Sequence, residues 1–119
     1  MMSYLLIGIG GALGAICRYS LGLFVAGRTK SSFPFGTWII NITGSLLLGI
    51  VFNLHKSGAV ADWVMLLVGV GFCGAYTTFS TFGNETVQLI VANKWRLAVG
   101  YVVASVVVSL LAAWVGFLL

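Results

Sequence analysis

Apolar residues run along this chain in four long blocks, roughly residues 4–26, 35–54, 63–91 and 97–119. A helix rising 1.5 Å per residue needs ~20 such residues to cross the ~30 Å hydrocarbon layer, so every block is long enough to span a membrane. No stretch alternates at period 2, which argues against the strands of a transmembrane barrel. Polar punctuation separates the blocks: Gly27-Arg28-Thr29-Lys30-Ser31-Ser32 ahead of Pro34, His55-Lys56-Ser57-Gly58, and Asn93-Lys94-Trp95-Arg96. Pro34 marks a helix start, and His55 reads as a loop residue. The pattern predicts a single all-α integral membrane domain over 1–119, with four spans and no room for a soluble unit. Met1-Met2-Ser3-Tyr4 carries no basic segment ahead of the first block, so a cleaved leader is not expected. Four spans would put both termini on the same side.

Composition strengthens that reading. Of 119 residues, 61% are hydrophobic and only 7% are charged, against about a quarter charged in an average soluble domain. Two acids and six bases cannot clothe a water-soluble sphere of this size, which excludes an ordinary soluble enzyme, a disordered chain and a disulfide scaffold. The net charge of +4 comes from the linkers and gives no support to a nucleic-acid partner. Arg28, Lys30, Lys94 and Arg96 fall on one side and Lys56 alone on the other. The positive-inside rule places the first group in the cytoplasm and the termini outside.

In such a chain the informative residues are the polar ones, because lipid offers them no partner. Arg18 lies ~21 Å along the first span, on one face with Gly10, Gly14 and Gly22, whose spacing by fours admits a close second helix. It either snorkels to the nearer interface or stands as a buried guanidinium that fixes helices and raises the potential for an anion. The second span carries Thr37, Asn41 and Ser45 on one face, and the fourth Tyr101, Ser105 and Ser109. These rows are either glue between helices or a line of neutral donors.

The third span, ~43 Å if continuous, exceeds what a membrane requires. Gly69, Gly71 and Gly74, followed by the Thr/Ser cluster of Thr77-Thr78-Phe79-Ser80-Thr81-Phe82, predict a discontinuous helix broken ahead of Phe79, with Gly74 ~16 Å in and near the midplane. Unwound backbone at that depth must be buried or bind something, and freed carbonyls at such a break are natural cation ligands. Gly69-x-Gly71-x-x-Gly74 also matches a dinucleotide fingerprint, but it follows no strand and is discarded. Phe79 and Phe82 share a face with hydroxyls on both sides, and a ring turned edge-on can favour an anion. Glu85, the one acid within a span, is either an interfacial residue or a partner of this Ser/Thr row. Cys17 and Cys73 read as small buried hydrophobes. A lining rich in donors and poor in acids suits a small anion, since a cation path calls for carboxylates or carbonyl loops.

The runs Gly10-Gly11-Ala12-Leu13-Gly14-Ala15-Ile16-Cys17-Arg18-Tyr19, Gly36-Thr37-Trp38-Ile39-Ile40-Asn41-Ile42-Thr43-Gly44 and Gly74-Ala75-Tyr76-Thr77-Thr78-Phe79-Ser80-Thr81-Phe82 resemble the signature segments of the CrcB/Fluc fluoride channels. The resemblance implies antiparallel, dual-topology homodimers in the cell membrane that let toxic fluoride leave passively along two interfacial pathways. It implies that Phe79 and Phe82 are pore aromatics, Asn41 a pore amide, and Ser80, Thr81, Tyr101, Ser105 and Ser109 a polar track. Glu85 and Thr37 would support that track, and Arg18 its potential. Carbonyls of Gly74 and Thr77 from both subunits would hold a structural sodium ion. Antiparallel insertion stands in tension with four basic residues against one.

Two rivals remain at this level. A proton-coupled multidrug exporter needs a carboxylate in the first span, where this chain has Arg18 and no acid. A helper subunit without transport of its own is opposed only by the donor rows.

Overall fold

The computed structural model describes residues 1–28 and 33–119. The first linker's residues 29–32, with the Lys30 charge, lie outside the described residues. Helix α1 is Met2–Ala26 and α2 is Phe35–Lys56. The third span is divided. Its first part, α3 (62–76), joins an α turn at Asp62–Val64, a π-helix over Met65–Cys73 and an α turn at Gly74–Tyr76. Its second part, α4, is Ser80–Val91, and α5 is Trp95–Leu118. Met2–Ala26, Phe35–Lys56, Asp62–Val91 and Trp95–Leu118 are each long and apolar enough to cross a bilayer. The molecule is 48 Å along its longest axis, enough for the hydrocarbon core and much of the headgroup zones. This is a multi-pass, all-helical membrane protein.

The turns follow from residue chemistry. Pro34 stands at the N-terminal cap of α2, where the missing N–H costs nothing. Gly58, with φ 82°, reverses the chain after α2, and Asn93, with φ 62°, does so after α4. Glycine and asparagine enter the left-handed region most readily. His55 lies in the last turn of α2 rather than in the loop, and its Nε2 sits 2.6 Å from Asp62 Oδ1, tying the two ends of the α2–α3 connection.

Two helix pairs carry the packing. Along α1 and α3, a methyl at Gly10 would collide with the Leu67 carbonyl, and one at Gly14 with the Phe72 carbonyl. The two glycines are four apart and the two carbonyls five apart. A π-helix bonds i to i+5, so Leu67 and Phe72 fall on one face and meet the α-helical repeat of α1. Gly22, the third glycine of the α1 row, instead lies against Gly36 of α2. Along α2 and α5, Gly49 meets the Ala113 carbonyl and Gly116 the Leu46 carbonyl. Backbones approach this closely only where side chains are absent, which is how helices associate in a medium without a hydrophobic drive between them.

The interruption of span three is where sequence and structure part in detail. Gly69, Gly71 and Gly74 are all helical, and the chain leaves the helix three residues after Gly74, at Thr77 (φ −77°, ψ 156°). The expected break in span three is present, and it falls in the threonines that follow the glycines, ahead of Phe79. Packing against α1 holds Gly71 in place, since a methyl there would press on the Ile7 carbonyl. The departure falls instead where side chains from α1 and α2 take over the backbone's hydrogen bonds.

Candidate functional site

Three polar side chains replace the helical ladder at the break. Thr78 N–H, which a continuous helix would give to the Gly74 carbonyl, donates to Asn41 Oδ1 at 2.9 Å. Asn41 Nδ2 in turn donates to the Thr78 carbonyl at 3.1 Å. The Arg18 Nε donates to the Ala75 carbonyl at 3.1 Å. Of the two readings of Arg18, the inward one describes its position: it caps the end of α3 with a positive charge, where the helix dipole favours one. Thr78 Oγ1 accepts the Thr81 N–H at 3.3 Å, satisfying a donor in the first turn of α4.

Further residues pin the break from α2. Thr43 Oγ1 and Tyr76 Oη are 2.7 Å apart, and the Tyr76 ring stacks on Phe72 with centroids 5.5 Å apart. Gly44 leaves room for Thr77 and Tyr76, whose side chains a methyl there would strike. Thr43 and Tyr76 escaped the sequence reading because Thr43 lies off the Thr37-Asn41-Ser45 face. Its partner is 33 residues away, so no local spacing signals the pair.

The aromatic pair stands directly after the break. Phe79 is 83% exposed within the chain, with its centroid 6.0 Å from that of Phe82. Phe82 packs on Tyr101 at 5.0 Å. Tyr101 is fully buried, and its hydroxyl donates to Glu85 Oε1 at 3.2 Å, with the Thr37 side chain facing the same hydroxyl. Glu85 is thus engaged inside the bundle. Ser105, one turn beyond Tyr101, is buried, and its Oγ has no hydrogen-bond partner among the described residues. Ser109 is partly buried, Thr81 is partly buried and Ser80 is exposed.

Some of these residues border a groove of about 550 Å³ between the second half of α1, the start of α2, and α4. Its polar lining includes Arg18, Thr37, Thr78, Thr81, Glu85 and Gln88, with Lys94 also on its wall. Gln88 was not singled out by the donor rows, although it falls seven residues after Thr81 and shares its face. Asn41, Phe79, Ser80, Phe82, Tyr101, Ser105 and Ser109 do not line the groove. Within a single chain the expected track is therefore divided between the groove, the buried α5 row and an open surface at Phe79 and Ser80.

Gly74 and Thr77 meet at the end of α3. Gly74 is exposed, with open space where a Cβ would stand. The N–H groups four residues on, at Thr78 and Thr81, are taken by Asn41 and by the Thr78 hydroxyl. Both carbonyls have thereby lost the donors a continuous helix would provide. Among the described residues no three His, Cys, Asp or Glu side chains gather, so a cation here would rest on carbonyl oxygens.

Residues 5–117 match the family model described as CrcB-like protein, Camphor Resistance (CrcB). A relative from Clostridium acetobutylicum, named fluoride-specific ion channel FluC 2, is 50% identical over 115 residues, covering 97% of this chain and 95% of its own length. Relatives named fluoride-specific ion channel FluC from Shewanella frigidimarina and Flavobacterium psychrophilum are 40% and 38% identical, covering 98% and 100% of this chain and 94% and 97% of theirs. An ion channel performs no covalent chemistry, so the function these relatives are named for is not an enzymatic one. With a matching family model over nearly its whole length and relatives of this identity, the chain belongs to the CrcB family.

Proposed function

We propose that this chain is the subunit of a fluoride-specific channel that lets toxic fluoride leave the cell passively across the cell membrane, two copies pairing as an antiparallel homodimer. The observation that carries this reading is the helix break clasped by Arg18 and Asn41 at the inner end of a donor-lined groove whose one carboxylate, Glu85, accepts a hydrogen bond from Tyr101. The names of the relatives support fluoride as the ion.

Fluoride is small and holds its water tightly. The idealised cost of moving a small ion into a medium of low dielectric is of order 20 kcal/mol, so the path must replace lost water with donors. Thr37 and Thr81 hydroxyls, the second N–H of the Asn41 amide, Ser80, Ser105 and Ser109 are such donors, while Tyr101 gives its one O–H to Glu85 and so holds that carboxylate beside the track. The positive rims of Phe79 and Phe82 serve where a hydroxyl is lacking. Arg18 and the N-terminal end of α4 add positive potential without presenting a deep binding site. Several moderate sites allow the ion to enter and to leave.

A structural sodium ion fits the donor set at the end of α3. Carbonyls of Gly74 and Thr77 would hold it, and a half-helix C-terminus is suited to a cation. Once bound, it would supply a fixed positive charge between the two subunits; it is not transported.

The test is efflux from liposomes holding the purified protein, read with fluoride, chloride and a cationic dye in turn. Fluoride alone should leave, and assembly in sodium-free buffer should lower the rate. Retention of fluoride with sodium supplied would overturn the proposal, and dye efflux would point to an exporter.

A further inference from the structure

Asn41 has more to do than offer an amide to an ion. Its Oδ1 accepts the Thr78 N–H and its Nδ2 donates to the Thr78 carbonyl, at 2.9 and 3.1 Å. The N–H belongs to the peptide before Thr78 and the carbonyl to the peptide after it. One planar carboxamide therefore grips both peptide planes that flank the Thr78 Cα, fixing the two torsions at the residue where α3 has ended and α4 has not begun.

Those torsions decide where Phe79 stands. Its ring is 83% exposed within the chain and its ring neighbour is Phe82, at 6.0 Å. Side-chain packing leaves such a ring loosely held, so its position is inherited from its backbone. The same residue governs the start of α4, through the Thr78 hydroxyl that accepts the Thr81 N–H. We infer that Asn41 is a positioning residue: through the peptides on either side of Thr78 it sets the direction of the Phe79 ring and the first turn of α4.

Only a carboxamide carries a matched donor and acceptor for this grip. Aspartate keeps the acceptor for the Thr78 N–H but has no donor for the carbonyl, and serine is too short to span both. The inference rests on the proposed ion path for its consequence, though not for its readout. An amide that served only as an ion ligand would leave Thr78 and Phe79 in place when removed.

The experiment combines hydrogen exchange with fluorine NMR in fluoride-free buffer, using full-length protein carrying 4-fluorophenylalanine at position 79. In Asn41→Ala, exchange over residues 77–81 should accelerate about tenfold, in line with losing a hydrogen bond of ordinary strength. The ring fluorine should shift or broaden, while the α2–α5 seam around Gly49 keeps its protection. Asn41→Asp should fall between, with Thr78 N–H still protected. Replacing the residue-78 amide by an ester removes that N–H, weakens the Thr77 carbonyl as an acceptor and leaves every side chain intact, and should move the fluorine signal with Asn41 in place. Unchanged exchange and fluorine signal in Asn41→Ala would overturn the inference. If that variant fails to fold, an unchanged fluorine signal in the ester does so. Liposome efflux by the unaltered protein tests the ion path separately, so a channel that carries no fluoride would leave the exchange result standing.

Discussion

Arg18 and Ala75 are 57 residues apart in the chain and joined by a 3.1 Å hydrogen bond, from a guanidinium in the first span to a carbonyl at the end of α3. A charged donor in a low-dielectric bundle has been given a backbone acceptor that the broken helix had set free. The arrangement serves both partners: the guanidinium is not left unpaired in lipid, and the helix end gains a cap of favourable sign.

Removing that cap should be costly. Arg18→Leu leaves the Ala75 carbonyl without its partner, and hydrogen bonds to charged groups contribute roughly 1.5–3 kcal/mol. The variant should unfold at lower denaturant in detergent and lose most of its fluoride efflux. Wild-type stability would show that the bond contributes nothing.

Phe79→Ile or Phe82→Ile keeps apolar bulk but removes the ring edge. Each should reduce fluoride efflux from liposomes by tenfold or more, ~1.4 kcal/mol or more on the barrier, while the assembly still elutes as the unaltered protein does. Full flux in both variants would remove the rings from the path.

Glycines within the two seams and a glycine outside them predict opposite responses to the same substitution. Gly14→Ala places a methyl against the Phe72 carbonyl and Gly49→Ala places one against the Ala113 carbonyl. Each should cost about 1–3 kcal/mol, because backbone cannot move aside as a side chain can. Gly8→Ala meets open space and should be neutral or stabilise by up to ~1 kcal/mol through helix propensity. Denaturant titration of the three variants checks the contrast.

Antiparallel pairing needs both orientations in one membrane. A cysteine introduced as Ala59→Cys, at an exposed position of the α2–α3 connection, with Cys17 and Cys73 replaced by alanine, should be labelled to about half by an impermeant reagent on intact cells. Labelling that is complete or nil would mean that the basic residues Arg28, Lys30, Lys94 and Arg96 impose one orientation.

The four spans, their approximate ends and the polar rows were legible in the chain itself, because lipid punishes every unpaired polar group and the hydrophobic blocks must match its thickness. Arg18, Asn41, Phe79 and Phe82 stood out for the same reason. That span three is interrupted was also readable. The exact residue of exit was not, since glycines weaken a helix locally while packing against α1 restores it. The actual exit, at Thr77, depends on Asn41 and Arg18 arriving from other helices to take the freed N–H and C=O groups. Nor could spacing reveal the Thr43–Tyr76 pair or the Glu85–Tyr101 bond. Periodicity says which residues share a face of one helix. Only the packed bundle decides which face meets which, and so which backbone groups a side chain can satisfy.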